Sequence, residues 1–300
     1  MAKFNASRTL RREILFKLTS DITCVKICST QMKFWPNPAE HRLSYNGVAE
    51  VYDRARPNYP EELVDDILAF AGTPRPSRVL EIGCGTGQAT ASFASRSLSM
   101  VCLEPAPAVV RIARERLKAF DRVELVCQTF EAWRAERDAF DLVFSATAFH
   151  WVSRRVRFVK AARVLRIGGT LAVFNAVPYP QAALLPDAVK RVLKRDPELA
   201  NGPQRWPFER QFYESRAFGT VDRRVYYAKR MYDAPGLEGL LRSLNLFREL
   251  PHAEQLNVLN NARSAVESQG GVIPLDFRIR LIMARRESMR PWWRRLPLCG

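Results

Sequence analysis

Val79-Leu80-Glu81-Ile82-Gly83-Cys84-Gly85-Thr86-Gly87 decides how this chain is read. A short run of buried-strand character, with an acidic residue at its end, leads into a loop with glycine at every second position. Gln88 to Ser95 follows with helix-compatible residues. Glycines at a strand–helix junction let the backbone turn tightly and let a ligand approach main-chain N–H groups. Open α/β sheets build nucleotide-cofactor crevices in this way. The spacing separates two cofactor classes. A dinucleotide fingerprint reads G-x-G-x-x-G. Here Gly83, Gly85 and Gly87 give G-x-G-x-G, and Gln88 stands where the third dinucleotide glycine would be.

Working outward, strand and helix patterns alternate from Arg78 to Asn175, the signature of a parallel sheet. Glu61 to Phe70 reads as a helix with Leu63, Ile67 and Leu68 on one face. A second strand, Leu98 to Leu103, ends at Glu104-Pro105. A third, Val123 to Cys127, leads into Gln128-Thr129-Phe130-Glu131-Ala132-Trp133. A fourth, Phe140 to Ser145, runs into Ala146-Thr147-Ala148-Phe149-His150-Trp151. A basic helix follows, and then Arg163 to Phe174 with Gly168-Gly169 inside it. Beyond Asn175 the pattern loosens. Val177-Pro178-Tyr179-Pro180 reads as the start of an irregular insertion. Leu185 to Lys194, Leu237 to Leu244 and Ala253 to Ser268 read as helices, and Phe218 to Tyr232 and Val272 to Ala284 as extended.

The ordered set, Glu81 with the glycine triplet, Glu104 at the end of the second strand, the Gln128–Trp133 loop and Gly168-Gly169, resembles the class I S-adenosylmethionine-dependent methyltransferases. The resemblance covers about Tyr45 to Asn175. Tyr52-Asp53-Arg54-Ala55-Arg56-Pro57-Asn58-Tyr59-Pro60 and Phe149-His150-Trp151 are similar to a bacterial small-molecule branch that includes trans-aconitate methyltransferase. Two positions depart from the pattern: Ile167, where proline is usual, and Gln128, where Gly or Asp is commoner. The family implies an α/β fold: a Rossmann-like, doubly wound seven-stranded sheet, last strand antiparallel, helices on both faces.

The resemblance also implies a site. The backbone of Gly83, Cys84, Gly85 and Gly87 would line the methionine portion of S-adenosylmethionine, with Glu81 beneath accepting from its amino group. Glu104 would take the ribose hydroxyls, Pro105 would lie against the adenine, and Phe130 and Glu131 would border it. Thr147 lies at the carboxyl end of the fourth strand, where ligands bind in such sheets. His150 is the candidate base, since an imidazole with an ordinary pKa of ~6.5 can take a proton near neutrality. Phe149 and Trp151 would shape the acceptor pocket. Tyr52, Arg56 and Tyr59 would form a lid, with Arg56 suited to a carboxylate. No metal site is expected: Cys24 and Cys28 have no Cys/His cluster at ligand spacing.

Composition sets the remaining bounds. The 300 residues are 47% hydrophobic, enough for a large domain. No run reaches the ~18 apolar residues that span a bilayer. The six cysteines are scattered, as in a cytoplasmic protein with reduced, buried thiols. The net charge of +16 suits an acidic acceptor, nucleic acid or an anionic surface. Its carriers are spread, and no basic stripe interleaved with aromatics is present. The expected organisation is a basic extension over residues 1–40, poorly ordered; a methyltransferase domain over 41–287, with cofactor core 61–175 and substrate-side part 176–287; and a basic Trp-containing tail over 288–300. The expected activity is methyl transfer to a small-molecule acceptor, conceivably acidic. A nucleic-acid methyltransferase and a non-catalytic cofactor-binding regulator or scaffold are the alternatives. The first lacks support from an Asn/Asp-Pro-Pro-Tyr/Phe/Trp tetrapeptide or a Pro-Cys pair.

Overall fold

A computed structural model describes residues 56–72, 77–134, 136–179, 184–194 and 208–288. The expected extension over 1–40, Tyr52 and nearly all of the expected tail lie outside the described residues. Seven strands form one sheet in the order β3-β2-β1-β4-β5-β7-β6. The strands are β1 (Arg78–Ile82), β2 (Ser99–Leu103), β3 (Val123–Val126), β4 (Phe140–Ala146), β5 (Leu165–Tyr179), β6 (Asp222–Tyr232) and β7 (Ile273–Arg285). β1 to β5 pair in parallel, and β7 runs antiparallel to both β5 and β6. This is the sheet expected from the sequence. The winding reverses between β1 and β4, so a crevice opens at their carboxyl ends.

The interior strands form because they are apolar on both faces. In β1, Val79, Leu80, Glu81 and Ile82 are all buried, as helices covering both faces of a parallel sheet require. One face is packed by α1 (Glu61–Ala71) and α2 (Gln88–Ala94). Leu63, Val64 and Ile67 of α1 meet the sheet there, and Phe93 of α2 stacks on Phe144 at 4.0 Å between ring centroids. α1 ends at Gly72, whose left-handed backbone caps the last turn. The other face is packed by α4 (Arg157–Val164) and α6 (Glu209–Ser215), through Phe158, Ala161 and Phe212. α3 (Pro107–Leu117) follows β2 and starts on a proline, whose fixed φ suits a first helical turn.

A third apolar cluster joins α5 (Asp187–Lys194), α7 (Ala234–Arg242), α8 (Asn245–Arg248) and α9 (His252–Ser268) to the outer ends of β6 and β7. Its centre holds Val189, Tyr232, Leu240, Ala262 and Phe277.

Two expectations need correction. Val177-Pro178-Tyr179 is not irregular: β5 continues through Tyr179, paired with β7 as far as Tyr179↔Asp276. The β4 pairing stops at Ala146↔Phe174, so one side of β5 is an open edge where proline forfeits no ladder partner. The expected division at 175/176 therefore falls inside a strand. Cys127 lies past the end of β3 and is exposed, unlike Cys84 and Cys102, which are buried. All three are free thiols.

Candidate functional site

The ends of β1, β2 and β4 and the loop after β3 enclose a cleft of roughly 950 Å³, its open mouth included. Gly83, Cys84, Gly85 and Thr86 form its floor, Glu104 and Pro105 one side, and Phe130 and Glu131 another. Tyr59, Thr147, Ala148 and Trp151 stand opposite. Most of the sequence-predicted residues thus meet in one place, though they come from five separate segments.

The glycine loop is a spacer rather than a donor array. The N–H groups of Gly83 and Cys84 both donate to Leu103 O, at 2.9 and 3.0 Å. Gly87 N donates to Cys84 O at 2.9 Å, and Gly85 N donates to Glu104 Oε2 at 3.2 Å. The expectation that this loop presents N–H groups to a ligand is therefore corrected, since all four already donate within the protein. A dinucleotide pyrophosphate needs such donors, so the hydrogen bonding agrees with the glycine spacing. Gly83 is required for another reason. Its φ is +72°, and a Cβ there would lie 2.4 Å from Ala148 Cβ, so the β1 and β4 ends meet without room for a side chain. Gly87 begins α2 and is not among the lining residues.

Two acidic residues flank this loop in opposite states. Glu104 is part-exposed, and its carboxylate accepts from Gly85 N and, at 3.0 Å, from Ala106 N. Glu81 is fully buried behind the loop. Its Oε2 accepts from Thr90 Oγ1 at 2.6 Å, while Oε1 is buried without a well-formed hydrogen bond. Burial pushes the Glu81 carboxyl up to about 8, helped by the Glu104 charge and opposed by hydrogen bonds from Thr90 and Cys102. Thr86 Oγ1, in the cleft floor, is also buried without a partner. A buried polar atom left unmatched costs free energy, so these two orphans mark where a polar ligand group fits.

Thr147 closes β4 with φ +54°, an uncommon backbone for a β-branched residue. It is held there on both sides. Its N–H donates to Phe174 O at 2.8 Å, and its Oγ1 accepts from Ala176 N at 3.2 Å. The same Oγ1 lies 3.1 Å from Tyr59 Oη, and the Tyr59 ring packs edge-on against Phe174. Strain of this kind collects at ligand sites and persists only when over-determined.

A family model described as a methyltransferase domain matches residues 79–169, from β1 into β5. Residues 79–169 carry a methyltransferase domain. An uncharacterized methyltransferase of Mycobacterium tuberculosis is 34% identical over 44% of this chain and 51% of its own length. A Saccharomyces cerevisiae protein assigned as an S-adenosylmethionine-dependent methyltransferase is 29% identical over 48% of this chain and 53% of its own. The chain thus spans about half the length of the curated relatives it matches. A solved structure of a candidate type II methyltransferase from Anaeromyxobacter dehalogenans shares the fold, with a TM-score of 0.56 at 18% identity, covering 77% of this chain and 97% of that one.

Besides Glu81 and Gly87, the expected residues Phe149, His150 and Arg56 are absent from the cleft lining. Phe149 is buried in the α4 face against Phe158 rather than lining the acceptor pocket. The short 3-10 turn Phe149–Trp151 points successive side chains in different directions, so Trp151 lines the cleft while Phe149 does not. His150 is not among the lining residues either. Its ring tilts against Trp151 at 4.6 Å. Burial of the ring, then the Arg157 and Arg56 charges, push its imidazole down to about 4, although the residue keeps an exposed face. The two arginines secure the direction, and the imidazole is neutral at pH 7. Arg56 contributes its carbonyl oxygen, which accepts from Arg230 Nη1 and from Gln88 Nε2.

Thr86, Gln88 and Thr129 line the cleft and were not singled out as site residues from the sequence. A polar residue between two glycines of the loop was the available signal for Thr86. Much of the positive charge is matched locally. Arg96 bridges to Asp65 and Glu61, Arg224 to Asp66 and Asp222, Arg166 to Asp141 and Arg286 to Asp138. Among the described residues, no cluster of metal-ligating side chains is present, and no helix is long and apolar enough to cross a membrane.

Proposed function

We propose that this protein transfers a methyl group from S-adenosylmethionine to a small-molecule acceptor. The observation that carries the reading is one cleft with the buried, unmatched Thr86 Oγ1 in its glycine-loop floor, the Glu81 carboxyl buried behind that loop and Glu104 at its side. The cofactor supplies an electrophilic methyl on a sulfonium sulfur. Gly83 and Gly85 give its methionine portion a floor nearly bare of side chains, with only the small Cys84 thiol between them. Glu81 accepts from the amino group. Glu104, fixed at the cleft side by the main-chain N–H groups of Gly85 and Ala106, takes the ribose hydroxyls. Pro105, Phe130 and Glu131 border the adenine.

Thr147, Ala148, Tyr59 and Trp151 then form the side on which the acceptor must lie. Their task is orientation, which can lower a barrier by ~7–11 kcal/mol when the reacting atoms are held in line. An ionised carboxylate acceptor needs no base, and an amine or hydroxyl does. The charge excess and the absence of a carboxylate base on the Thr147–Trp151 segment favour an acidic acceptor. The resemblance around Phe149-His150-Trp151 supports the same class.

A thermal-shift titration with S-adenosylhomocysteine, NAD in parallel, tests the cofactor. At a hundredfold excess over Kd, binding adds ~2.7 kcal/mol, a rise of about 5–11 °C for a domain of this size. A rise with S-adenosylhomocysteine alone, lost in Glu104→Ala, is expected. No rise at saturation would sink the cofactor reading. Binding without transfer to any of a panel of small acids, amines and RNA would leave the non-catalytic reading standing.

A further inference from the structure

The loop after β3, residues 127–134, belongs to no strand or helix beyond one turn closed by Trp133 N donating to Thr129 O at 3.0 Å, yet its residues 128–131 form one wall of the cleft. Its other carbonyl groups must find partners elsewhere. Lys160, on the middle of α4, supplies them. Its Nζ donates to Phe130 O, to Glu131 O at 3.2 Å and to Trp133 O. The same ammonium stands 5.0 Å over the Phe130 ring. A second tie runs the other way, with Glu131 Oε1 accepting from Ser153 N at 2.8 Å. One cation and one carboxylate therefore fasten this wall to the segment that starts α4.

We infer that Lys160 is a positioning residue that sets the base-reading edge of the cofactor site, by holding the carbonyls of residues 130, 131 and 133 in one place. The inference rests on the S-adenosylmethionine reading of the cleft. An ammonium has three N–H donors on a flexible stem and can serve three converging oxygens, whereas a planar guanidinium directs its donors into a fixed fork. Without the cation, three carbonyls lose a charge-assisted partner, and the loop must turn to re-solvate them. Phe130 and Glu131 move with it, because they are part of the same backbone. The floor and the Glu104 side are anchored to β1 and β2 and stay in place.

The test is a selectivity ratio measured by calorimetry. The probes are S-adenosylhomocysteine and S-inosylhomocysteine, which differ only at the edge of the base. The wild-type chain is expected to prefer the adenosyl compound by about tenfold or more, the scale of one well-placed hydrogen bond. Lys160→Met is expected to reduce that preference to within about threefold while weakening both ligands. Glu131→Gln, which loosens the second tie and leaves Lys160 intact, shifts the ratio in the same direction and replaces Lys160→Met should that variant fail to fold. The ratio does not depend on the folded fraction, so simple destabilisation leaves it unchanged. An unaltered preference in the variants overturns the inference, as does a wild-type chain that binds both probes equally well. A wild-type chain that binds neither overturns the cofactor reading and the inference with it.

Discussion

The β1–β2 side of the cleft and the β4 side, which leans on β5, are built on different plans. On the first, short parallel strands end together, and main-chain atoms and the Glu104 carboxylate do the shaping, at Gly83, Gly85 and Glu104, with Glu81 buried behind them. On the second, β5 and β7 run on past the end of β4 as a long antiparallel pair. The shaping there falls to side chains such as Tyr59, Thr147 and Trp151. The first plan suits a ligand that never changes, because backbone geometry leaves little to vary. The second suits a ligand that differs between proteins of one fold, because side chains can be exchanged without moving a strand. The contrast fits the proposal of a constant cofactor on the first side and an acceptor on the second.

The sharpest way to break this contrast is at Gly83. Gly83→Ala must place a Cβ against Ala148 at a positive φ. It is expected to weaken S-adenosylhomocysteine more than about a hundredfold, or ~2.7 kcal/mol, in calorimetry on folded protein. Near-normal binding would mean that the two strand ends are not the rigid floor proposed here.

Glu81 gives the next effect, with a definite sign. Its folded pKa, about 8, is above its ordinary 4.5. Its contribution is present in full below about 4.5 and is lost as pH rises toward 8, because the unfolded chain ionises first. The free protein should therefore lose stability over that window, with a slope of at most about 1.4 kcal/mol per pH unit. Glu81→Gln should flatten the slope in denaturant titrations. A ligand ammonium favours the ionised carboxylate, so S-adenosylhomocysteine affinity should rise with pH up to about 8 in the wild-type chain and not in the variant.

On the acceptor side the expected effects are smaller. Tyr59→Phe removes the hydroxyl beside Thr147 and keeps the ring on Phe174. It should lower kcat about three- to tenfold, the worth of one hydrogen bond, with cofactor affinity little changed. An equal loss of cofactor affinity would place Tyr59 on the first side instead. His150→Asn should change kcat less than about tenfold, with no break in the pH profile near 6.5. A loss of a hundredfold or more would restore the imidazole as the base.

The same contrast explains what could be read in the sequence. The order of the parallel strands was legible because each is a continuous apolar run ending in a turn signal, and Glu81, Glu104 and the glycines sit at fixed offsets from those runs. The end of β5 was not. Val177-Pro178-Tyr179 contains a proline and an exposed tyrosine, and only its long pairing with β7 makes it a strand. Lys160 carries no signal either, since its partners are carbonyl oxygens some thirty residues away, and every residue has a carbonyl. The backbone of Thr147 is equally silent, because threonine by itself does not favour a positive φ.

The clasp between the two ends of the described chain governs when the flank of the site is made fast. Tyr59 waits for Thr147, Asp66 for Tyr226, and the carbonyl of Arg56 for Arg230, a partner 174 residues later. During synthesis at ~5–20 residues per second, the segment that flanks the cleft leaves the ribosome first and is fastened last. For about ten seconds or more the sheet can assemble around a cleft that is still ajar. The residues proposed to hold the cofactor, Glu81 to Glu131, are all made well before β6, so a newborn chain could take up the cofactor early and have its Tyr59 flank steadied only once β6 has emerged.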